Sequence, residues 1–222
     1  CGQGVATVLT QIAAETLELP ANRVRLEWQD TESAPEAGSS SASRQTLVSG
    51  NAVLGACERA RRAVAKKGGV RALAAAGITR RYTYHAPRTG PIGARGSRPH
   101  AYAYGWGSCV VDVRVDNATG RVEVLRIVSA IDAGRVVNRR LFEGQVEGGA
   151  VMGQGYALQE RCTLRDGMPI SLGFDGCAVP TALDAAPAIE TVAVESAEPL
   201  GPFGARGVGE ITMIPVVPAK GA

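Results

Sequence analysis

Polar residues placed beside glycines are the positions in this chain best suited to chemistry. Gln3 lies between two glycines, Gln145 follows Gly144, and Glu210 follows Gly209. Glycine has no side chain, so a ligand can come close to the backbone at these places. An amide there can hydrogen-bond a polar ring, and a carboxylate there can accept a proton. A glycine that only permits a turn is the commoner explanation of each position taken alone.

A hydroxyl-rich stretch offers a second set of polar groups. Residues 30–46 combine Pro35 and Gly38 with a run of serines that ends at Ser43, and Thr46 follows. This composition is typical of a loop. The hydroxyl groups of Ser43 and Thr46 can both donate and accept hydrogen bonds, which makes them candidate ligands for a polar heterocycle or a phosphate.

Glu210 stands in a local sequence that suits a general base. It follows the glycine-rich stretch 202–209 and precedes the apolar stretch 211–215. We therefore expect its carboxylate to leave a glycine turn beside a hydrophobic wall. Loss of water around a carboxylate raises its pKa, as a general base requires. A salt bridge between Glu210 and Arg206 explains the same residues equally well.

Several common catalytic motifs are absent from the sequence. There is no P-loop and no strict G-x-G-x-x-G segment after a strand. Only two histidines occur, His85 and His100, and we expect both on exposed loops, so a Ser-His-Asp triad or a His-rich metal site lacks parts. The five cysteines include no C-x-x-C pair. They predict reduced, buried thiols and a cytoplasmic location, not a zinc site or a disulfide scaffold.

Size and charge exclude further classes of protein. The chain has 222 residues, 45% of them apolar, and a formal net charge of +3. That length supports one sizeable core or two small ones. No apolar run is long enough for a membrane-spanning helix, and the small net charge provides no global field that would hold nucleic acid.

One stretch of the chain is strongly basic. Residues 58–98 carry eleven lysines and arginines and a single acid. We expect a solvated face and, over 68–105, an irregular basic connection. A module that binds nucleic acid or another anionic partner through 58–98 stays open as an alternative function.

Hydrophobic spacing predicts the helices that position the polar groups. Apolar residues recur at three- and four-residue steps over 5–17, 50–67 and 138–158, which predicts three helices. The third contains five glycines, and each costs a helix about 1 kcal/mol relative to alanine. So many glycines predict close packing of this helix against another backbone or a cofactor.

Alternation of apolar and polar residues predicts the strands. It occurs over 24–28, 109–115 and 122–129. The stretch 116–120 between the last two has the Asx and glycine residues of a hairpin turn. We expect short strands and loops over 162–222.

A set of short segments along the chain forms one larger pattern. They are Gly2-Gln3-Gly4 with Thr7 and Gln11, Asp30-Thr31 with Pro35, Ala42-Ser43-Arg44-Gln45-Thr46, Val113 to Gly120, Asp132-Ala133-Gly134-Arg135, Gly144-Gln145-Val146-Glu147-Gly148-Gly149, Pro180-Thr181, and Gly204-Ala205-Arg206-Gly207-Val208-Gly209-Glu210. In order and spacing this set resembles the molybdenum-binding subunit of the xanthine dehydrogenase and aldehyde oxidase family of molybdenum hydroxylases. The resemblance covers nearly the whole chain and is loosest over 68–105.

The resemblance implies a fold, a cofactor and roles for particular residues. The fold is α/β (α+β), with mixed sheets and packed helices, and residues 1–222 form the later part of a molybdopterin-binding domain. The cofactor is molybdopterin in its cytosine dinucleotide form, with molybdenum held by a dithiolene so that no protein side chain need ligate the metal. The residues that would contact the pterin or its nucleotide are Gln3, Gly4, Ser43, Thr46 and Gln145. Glu210 matches the family's catalytic glutamate, a general base.

The resemblance also implies a reaction and partners. The reaction is hydroxylation of an aldehyde or N-heterocycle with oxygen from water, and electrons leave through iron–sulfur (2Fe-2S) and FAD subunits or domains. The family's subunit is several times longer, so its preceding part is an expected partner; a truncated, catalytically silent remnant is the alternative. Asn138-Arg139 stands where the family usually has Asn-Pro, and Cys177 where an aromatic residue is frequent. Both departures concern packing more than chemistry.

Overall fold

The structure, a computed structural model, describes residues 2–28, 30–66, 77–91 and 99–221. The chain divides into two compact units. The first unit is made of Cys1–Tyr104, Gly134–Asn138 and Ser196–Gly207, and the second of Gly105–Ala133, Arg139–Glu195 and Val208–Ala222. Helices accompany a mixed sheet, which confirms the expected mixed α/β fold.

Two helices form the core of the first unit. Helix α1 is Val5–Leu17, as predicted, and the left-handed residue Glu18 ends it by donating its N–H to two carbonyls of the last turn. Helix α2 is Gln45–Lys66. It begins five residues before the predicted start because Leu47 in its first turn is buried in the core. A Cβ atom on Gly50 would lie 3.0 Å from Ile12 Cδ1, so the two helices meet closely there.

The predicted strand at 24–28 is wrong. A single turn of 3₁₀ helix, Ala21–Arg23, comes first, and the described residues 24–28 belong to no strand; only Val24 is shown with extended backbone. Val24 and Leu26 are half-buried while their neighbours are exposed. The alternation therefore reflects burial against the unit and not a sheet.

The expected irregular connection at 68–105 is only partly visible. Its stretches 77–91 and 99–105 contain no helix or strand, whereas 68–76 and 92–98 lie outside the described residues.

A three-stranded sheet is the centre of the second unit. Strands β1, Trp106–Val115, and β2, Val122–Asp132, pair antiparallel, and both predicted strands are thereby confirmed with longer ends. A later strand, Ile189–Val194, pairs with β2 in parallel. The turn between β1 and β2 is held by Asp116, whose carboxylate accepts the Ala118 N–H at 2.9 Å.

Helix α3, Arg139–Leu158, covers one face of this sheet and confirms the third predicted helix. Its residues Val146 and Ala150 are fully buried, as are Ile127 and Ile131 of β2. Burial of these aliphatic side chains supplies the hydrophobic free energy that holds helix and sheet together.

Short elements complete the second unit, as expected for 162–222. They are β3 (Leu164–Arg165), β4 (Met168–Pro169), α4 (Gly173–Gly176), the strand Ile189–Val194, here β5, a 3₁₀ helix at Glu210–Met213, and α5 (Val216–Lys220). A further 3₁₀ helix, Pro202–Gly204, belongs to the first unit. Within the described ranges, no helix is both long enough and apolar enough to cross a bilayer.

The glycines of α3 fall into two groups. A Cβ atom on Gly149 would collide with the side chain of Thr212, and one on Gly153 would lie 2.7 Å from the Met213 carbonyl oxygen. Gly155 packs in the same way against Pro180. In contrast, a Cβ atom on Gly144 or Gly148 would meet nothing within 4 Å. Close packing therefore explains three of the five glycines, with backbone as the nearest neighbour at Gly153 and side chains at Gly149 and Gly155, and it leaves open space beside the other two.

Replacing Gly149 with alanine is expected to lower the free energy of unfolding by about 1–3 kcal/mol, because the added methyl group overpacks the contact with Thr212. The matched control is Gly148→Ala at the adjacent helix position, where open space lets alanine raise stability by up to about 1 kcal/mol. Urea unfolding followed by circular dichroism measures both. An equal response of the two variants would contradict the packing.

Candidate functional site

The segment around Gln3 has an unusual backbone. Gln3 and Gly4 both adopt left-handed conformations, with φ of 32° and 72°. The exposed amide of Gln3 donates from Nε2 to the Ser40 hydroxyl at 3.0 Å. The structure therefore brings Gln3 to the hydroxyl-rich stretch through Ser40.

The hydroxyl-rich stretch has the same feature. Ala42 and Ser43 have φ of 53° and 52°, a conformation that costs non-glycine residues about 1–3 kcal/mol each. A Cβ atom on Gly207 would collide with the Ser43 carbonyl oxygen, so only glycine lets the two backbones approach so closely. Thr46 is half-buried in the first turn of α2.

The stretch 196–207 is fixed inside the first unit by a buried ion pair. Arg206 Nη2 lies 3.7 Å from Glu198 Oε2, and each side chain is 9% exposed. The guanidinium also donates to the carbonyl oxygens of Tyr104 and Ser196, the latter at 3.1 Å. The Leu200 N–H donates to Glu198 Oε1 at 3.2 Å. These bonds hold a loop that has little regular secondary structure of its own.

Backbone contacts join this loop to the stretch that resembles the family's Asp-Ala-Gly-Arg segment. Gly134, with φ of 61°, forms an isolated bridge with Ala205, and a Cβ atom on it would collide with the Gly204 carbonyl oxygen. The Arg135 N–H donates to that same oxygen at 2.8 Å. Glycine is thus required at Gly134 by both its conformation and its neighbour.

The second unit contains the other two candidate residues, Gln145 and Glu210. Gln145 is half-buried on α3, and the open space beside Gly144 and Gly148 leaves the helix backbone around it accessible. Glu210 is the first residue of the 3₁₀ helix Glu210–Met213. That turn is held by Thr212, whose hydroxyl donates to the Gly209 carbonyl oxygen at 2.6 Å.

The surroundings of Glu210 differ from the expectation in one respect. Glu210 is exposed, so the described residues around it leave its carboxylate in contact with water. The apolar stretch after it turns inward instead, where Thr212 and Pro215 are buried.

The polar groups suit an organic cofactor better than a bare metal ion. The amide and hydroxyl groups of Gln3, Ser43 and Thr46 in the first unit, and the amide of Gln145 in the second, are donors and acceptors of the kind that a pterin ring and its phosphates require. A Cβ atom on Gly148 would meet nothing within 4 Å, so the helix backbone there is open to a ligand. Over the described ranges, no group of three or more His, Cys, Asp or Glu side chains could hold a metal ion.

Sequence reasoning missed the Glu198–Arg206 pair. Both residues are polar, and nothing in the adjacent sequence distinguishes a buried ion pair from two solvated side chains. The proline- and glycine-rich stretch between them was the available signal, since it predicts a turn that can bring its two ends together.

Two arginines of the basic stretch have partners within the first unit. The Arg59 guanidinium lies 4.6 Å from the centroid of the Tyr82 ring, and its Nη1 donates to the Arg81 carbonyl oxygen. Arg61 pairs with Glu18 at 2.6 Å. These two side chains stabilise the fold and give no support to the anionic-partner alternative.

The cysteines are free wherever the structure describes them. Cys57, Cys109 and Cys177 are only half-buried and Cys162 is exposed, so the prediction of buried thiols is wrong at Cys162 and only partly met at the other three. Cys162 lies just after α3, where the chain turns away from the core.

A model of the molybdopterin cofactor-binding domain family matches residues 1–186. The chain belongs to this family. Membership confirms the resemblance to the family, and the matched residues include all the candidate residues except Glu210.

Relatives and solved structures extend the similarity to nearly the whole chain. The chain is 32% identical over 243 residues to the 6-hydroxypseudooxynicotine dehydrogenase complex subunit gamma of Paenarthrobacter nicotinovorans, covering 96% of this chain and 30% of that protein. It is 30% identical to a probable xanthine dehydrogenase subunit of Bacillus subtilis (strain 168), covering 99% of this chain and 33% of that protein.

Among solved structures, the aldehyde oxidoreductase from Desulfovibrio desulfuricans ATCC 27774 matches with a TM-score of 0.83 at 30% identity, covering 100% of this chain and 25% of that one. The chain thus spans a quarter to a third of these relatives.

Truncating Glu198 to alanine is expected to lower the free energy of unfolding by about 3–5 kcal/mol, because it leaves the buried Arg206 guanidinium without its counterion. The control is Glu123→Ala, which breaks the exposed pair with Arg114 and costs at most about 1 kcal/mol. Urea titration of both variants tests this. Equal, small losses would show that the backbone carbonyls alone hold Arg206.

Proposed function

We propose that this chain is part of a molybdenum hydroxylase that oxidises an aldehyde or an N-heterocycle. In the overall reaction a C–H bond of the substrate and water become a C–OH bond, two protons and two electrons. Membership in the molybdopterin cofactor-binding domain family supports the cofactor, and relatives named as xanthine dehydrogenase and aldehyde oxidoreductase support the reaction class. The observation that carries the proposal is the pair of left-handed backbone segments at Gln3–Gly4 and Ala42–Ser43, joined by a hydrogen bond from Gln3 to Ser40.

Strained backbone of this kind persists where the surrounding structure enforces it, and it clusters at ligand clamps and active sites. In the first unit the contact of Gly207 with Ser43 enforces it. Gln3, Gly4, Ser43 and Thr46 are the residues of this unit that bind the pterin or its nucleotide, which we take to be the cytosine dinucleotide form. Their amide and hydroxyl groups orient the cofactor and exclude water from its polar edge.

In the second unit, Gln145 hydrogen-bonds the pterin, and Gly148 leaves space for a flat ring to approach the α3 backbone. The bound cofactor supplies the two-electron redox chemistry. Glu210 acts as the general base and accepts a proton on a carboxylate oxygen during oxygen transfer from water. Positioned proton transfer of this kind accelerates a reaction by about 10²–10⁴-fold.

The whole enzyme requires more protein than this chain. The remaining part of the same subunit is the first partner, since the relatives are three to four times longer than the part matched here. Iron–sulfur and FAD subunits are the further partners that carry electrons away, and the relative named as the gamma subunit of a dehydrogenase complex supports such an assembly.

Glu210→Gln in the complete subunit is expected to retain the cofactor and to lose turnover by about 10²–10⁴-fold, because an amide cannot accept the proton. Glu123→Gln, an exposed site on β2, is the control and should leave turnover unchanged. Steady-state kinetics with aldehyde and N-heterocycle substrates, normalised to molybdenum content, provide the measurement. Near-normal turnover of Glu210→Gln would refute its role as the base.

Gln145→Ala in the complete subunit is expected to lower the molybdenum and pterin content of the purified protein, because a hydrogen bond to the ring is lost. Glu147→Ala, an exposed position two residues along the same helix, serves as the control for helix stability. Metal analysis and pterin fluorescence after release report the content. Full cofactor retention by Gln145→Ala would remove this residue from the binding site.

A further inference from the structure

Residues 164–183 of the second unit, the apolar segment, expose an unusual amount of hydrophobic surface. Its large apolar side chains, each at least 40% exposed, are Leu164, Met168, Ile170, Leu172, Phe174, Val179 and Leu183. Leu183 is 96% exposed and Phe174 is 84% exposed. Single exposed apolar residues are ordinary on a protein, but seven on one segment of twenty residues are more than the ordinary scatter, and large exposed apolar areas are typical of interaction sites.

The β3–β4 hairpin within the segment is bare on both faces. Leu164 pairs with Pro169, and Arg165 pairs with Met168. Because adjacent residues of a strand point to opposite faces, Leu164 and Met168 lie on different faces of the hairpin, and both are exposed. A two-stranded hairpin is only marginally stable in water by itself. Such a hairpin gains stability when apolar surface covers it on each side.

The charge of the apolar segment restricts what can cover it. It contains only three charged residues, Arg165, Asp166 and Asp175, with a net charge of −1. Anionic lipid surfaces and nucleic acids are bound through clusters of lysine and arginine, which the segment lacks. An apolar protein surface is the kind of partner that remains.

We propose that the apolar segment is an interface that docks against the part of a molybdenum-binding subunit which, in the relatives, lies outside the matched region. The relatives match nearly all of this chain, but the chain covers only 25–33% of their length. Most of such a subunit is therefore polypeptide outside the matched region. This inference rests on the proposed function, which supplies the larger subunit. Docking buries the side chains of Phe174 and Leu183 and covers both faces of the hairpin.

The test is capture of that polypeptide by this chain. The 222-residue chain carries an affinity tag and is co-expressed with the part of the Bacillus subtilis relative that lies outside the match. Wild type is expected to retain it in a stoichiometric complex on size-exclusion chromatography. The triple variant Leu172→Asp, Phe174→Asp, Leu183→Asp is expected to retain at least about tenfold less, because three charges would be desolvated in the interface.

The control adds the same three charges elsewhere. Ala21→Asp, Thr83→Asp and Ala118→Asp lie at exposed positions outside the apolar segment and should leave capture unchanged. Circular dichroism of each variant alone checks its fold, and the single variant Leu183→Asp, at the most exposed position, gives a second measure with the least disturbance of the fold.

Two results would overturn the proposal. The first is capture by the triple variant equal to wild type, or no capture by wild type. The second is self-association of wild type that the same substitutions abolish, since the occupant would then be a second copy of this chain. Capture is measured without cofactor or turnover, so its result does not depend on the catalytic proposal. If Glu210 is not the base, the Glu210→Gln variant still docks, and in the complete subunit it also keeps its activity.

Discussion

The second unit depends on the approach of one turn to the backbone of helix α3. Gly149 leaves room for the Thr212 side chain, and Gly153 lets the Met213 carbonyl oxygen lie against the helix. A larger residue at either position would push the turn outward. Each glycine lowers the helix propensity of α3. Together they fix where the 3₁₀ helix begins, and with it the position of Glu210.

The first unit holds its candidate residues by a different means. Regular elements contribute little to the stretches around Ser43 and Arg206, so polar contacts and glycine replace them. Gly134 and Gly207 each allow one backbone segment to contact another. The ion pair between Glu198 and Arg206 holds together the two ends of the loop that joins these two residues. Fixing a loop in this way keeps strained residues such as Ser43 in place without a large hydrophobic core.

The sequence predicts what local patterns determine and misses what distant contacts determine. Helices α1 and α3 and the β1–β2 hairpin follow from spacing and turn residues alone, as the Asp116 turn illustrates. The alternation at 24–28 is also local, but a strand needs a partner, and the pattern carries no information about one. Residue type and local spacing likewise identify Gln3 and Ser43 as candidate polar groups. The burial of Glu198 and the exposure of Glu210 depend instead on residues far along the chain, so local patterns do not predict them.

The parallel pairing of β2 with β5 has a kinetic consequence. Ile127 pairs with Ile189, so about sixty residues of intervening chain must be arranged before the third strand can join the sheet. The β1–β2 hairpin closes a short loop and forms early, while β5 adds late because its contacts have high contact order. During that interval the edge of β2 that β5 later occupies is unpaired. The newly made chain is then at its greatest risk of aggregation and has its greatest need of chaperones.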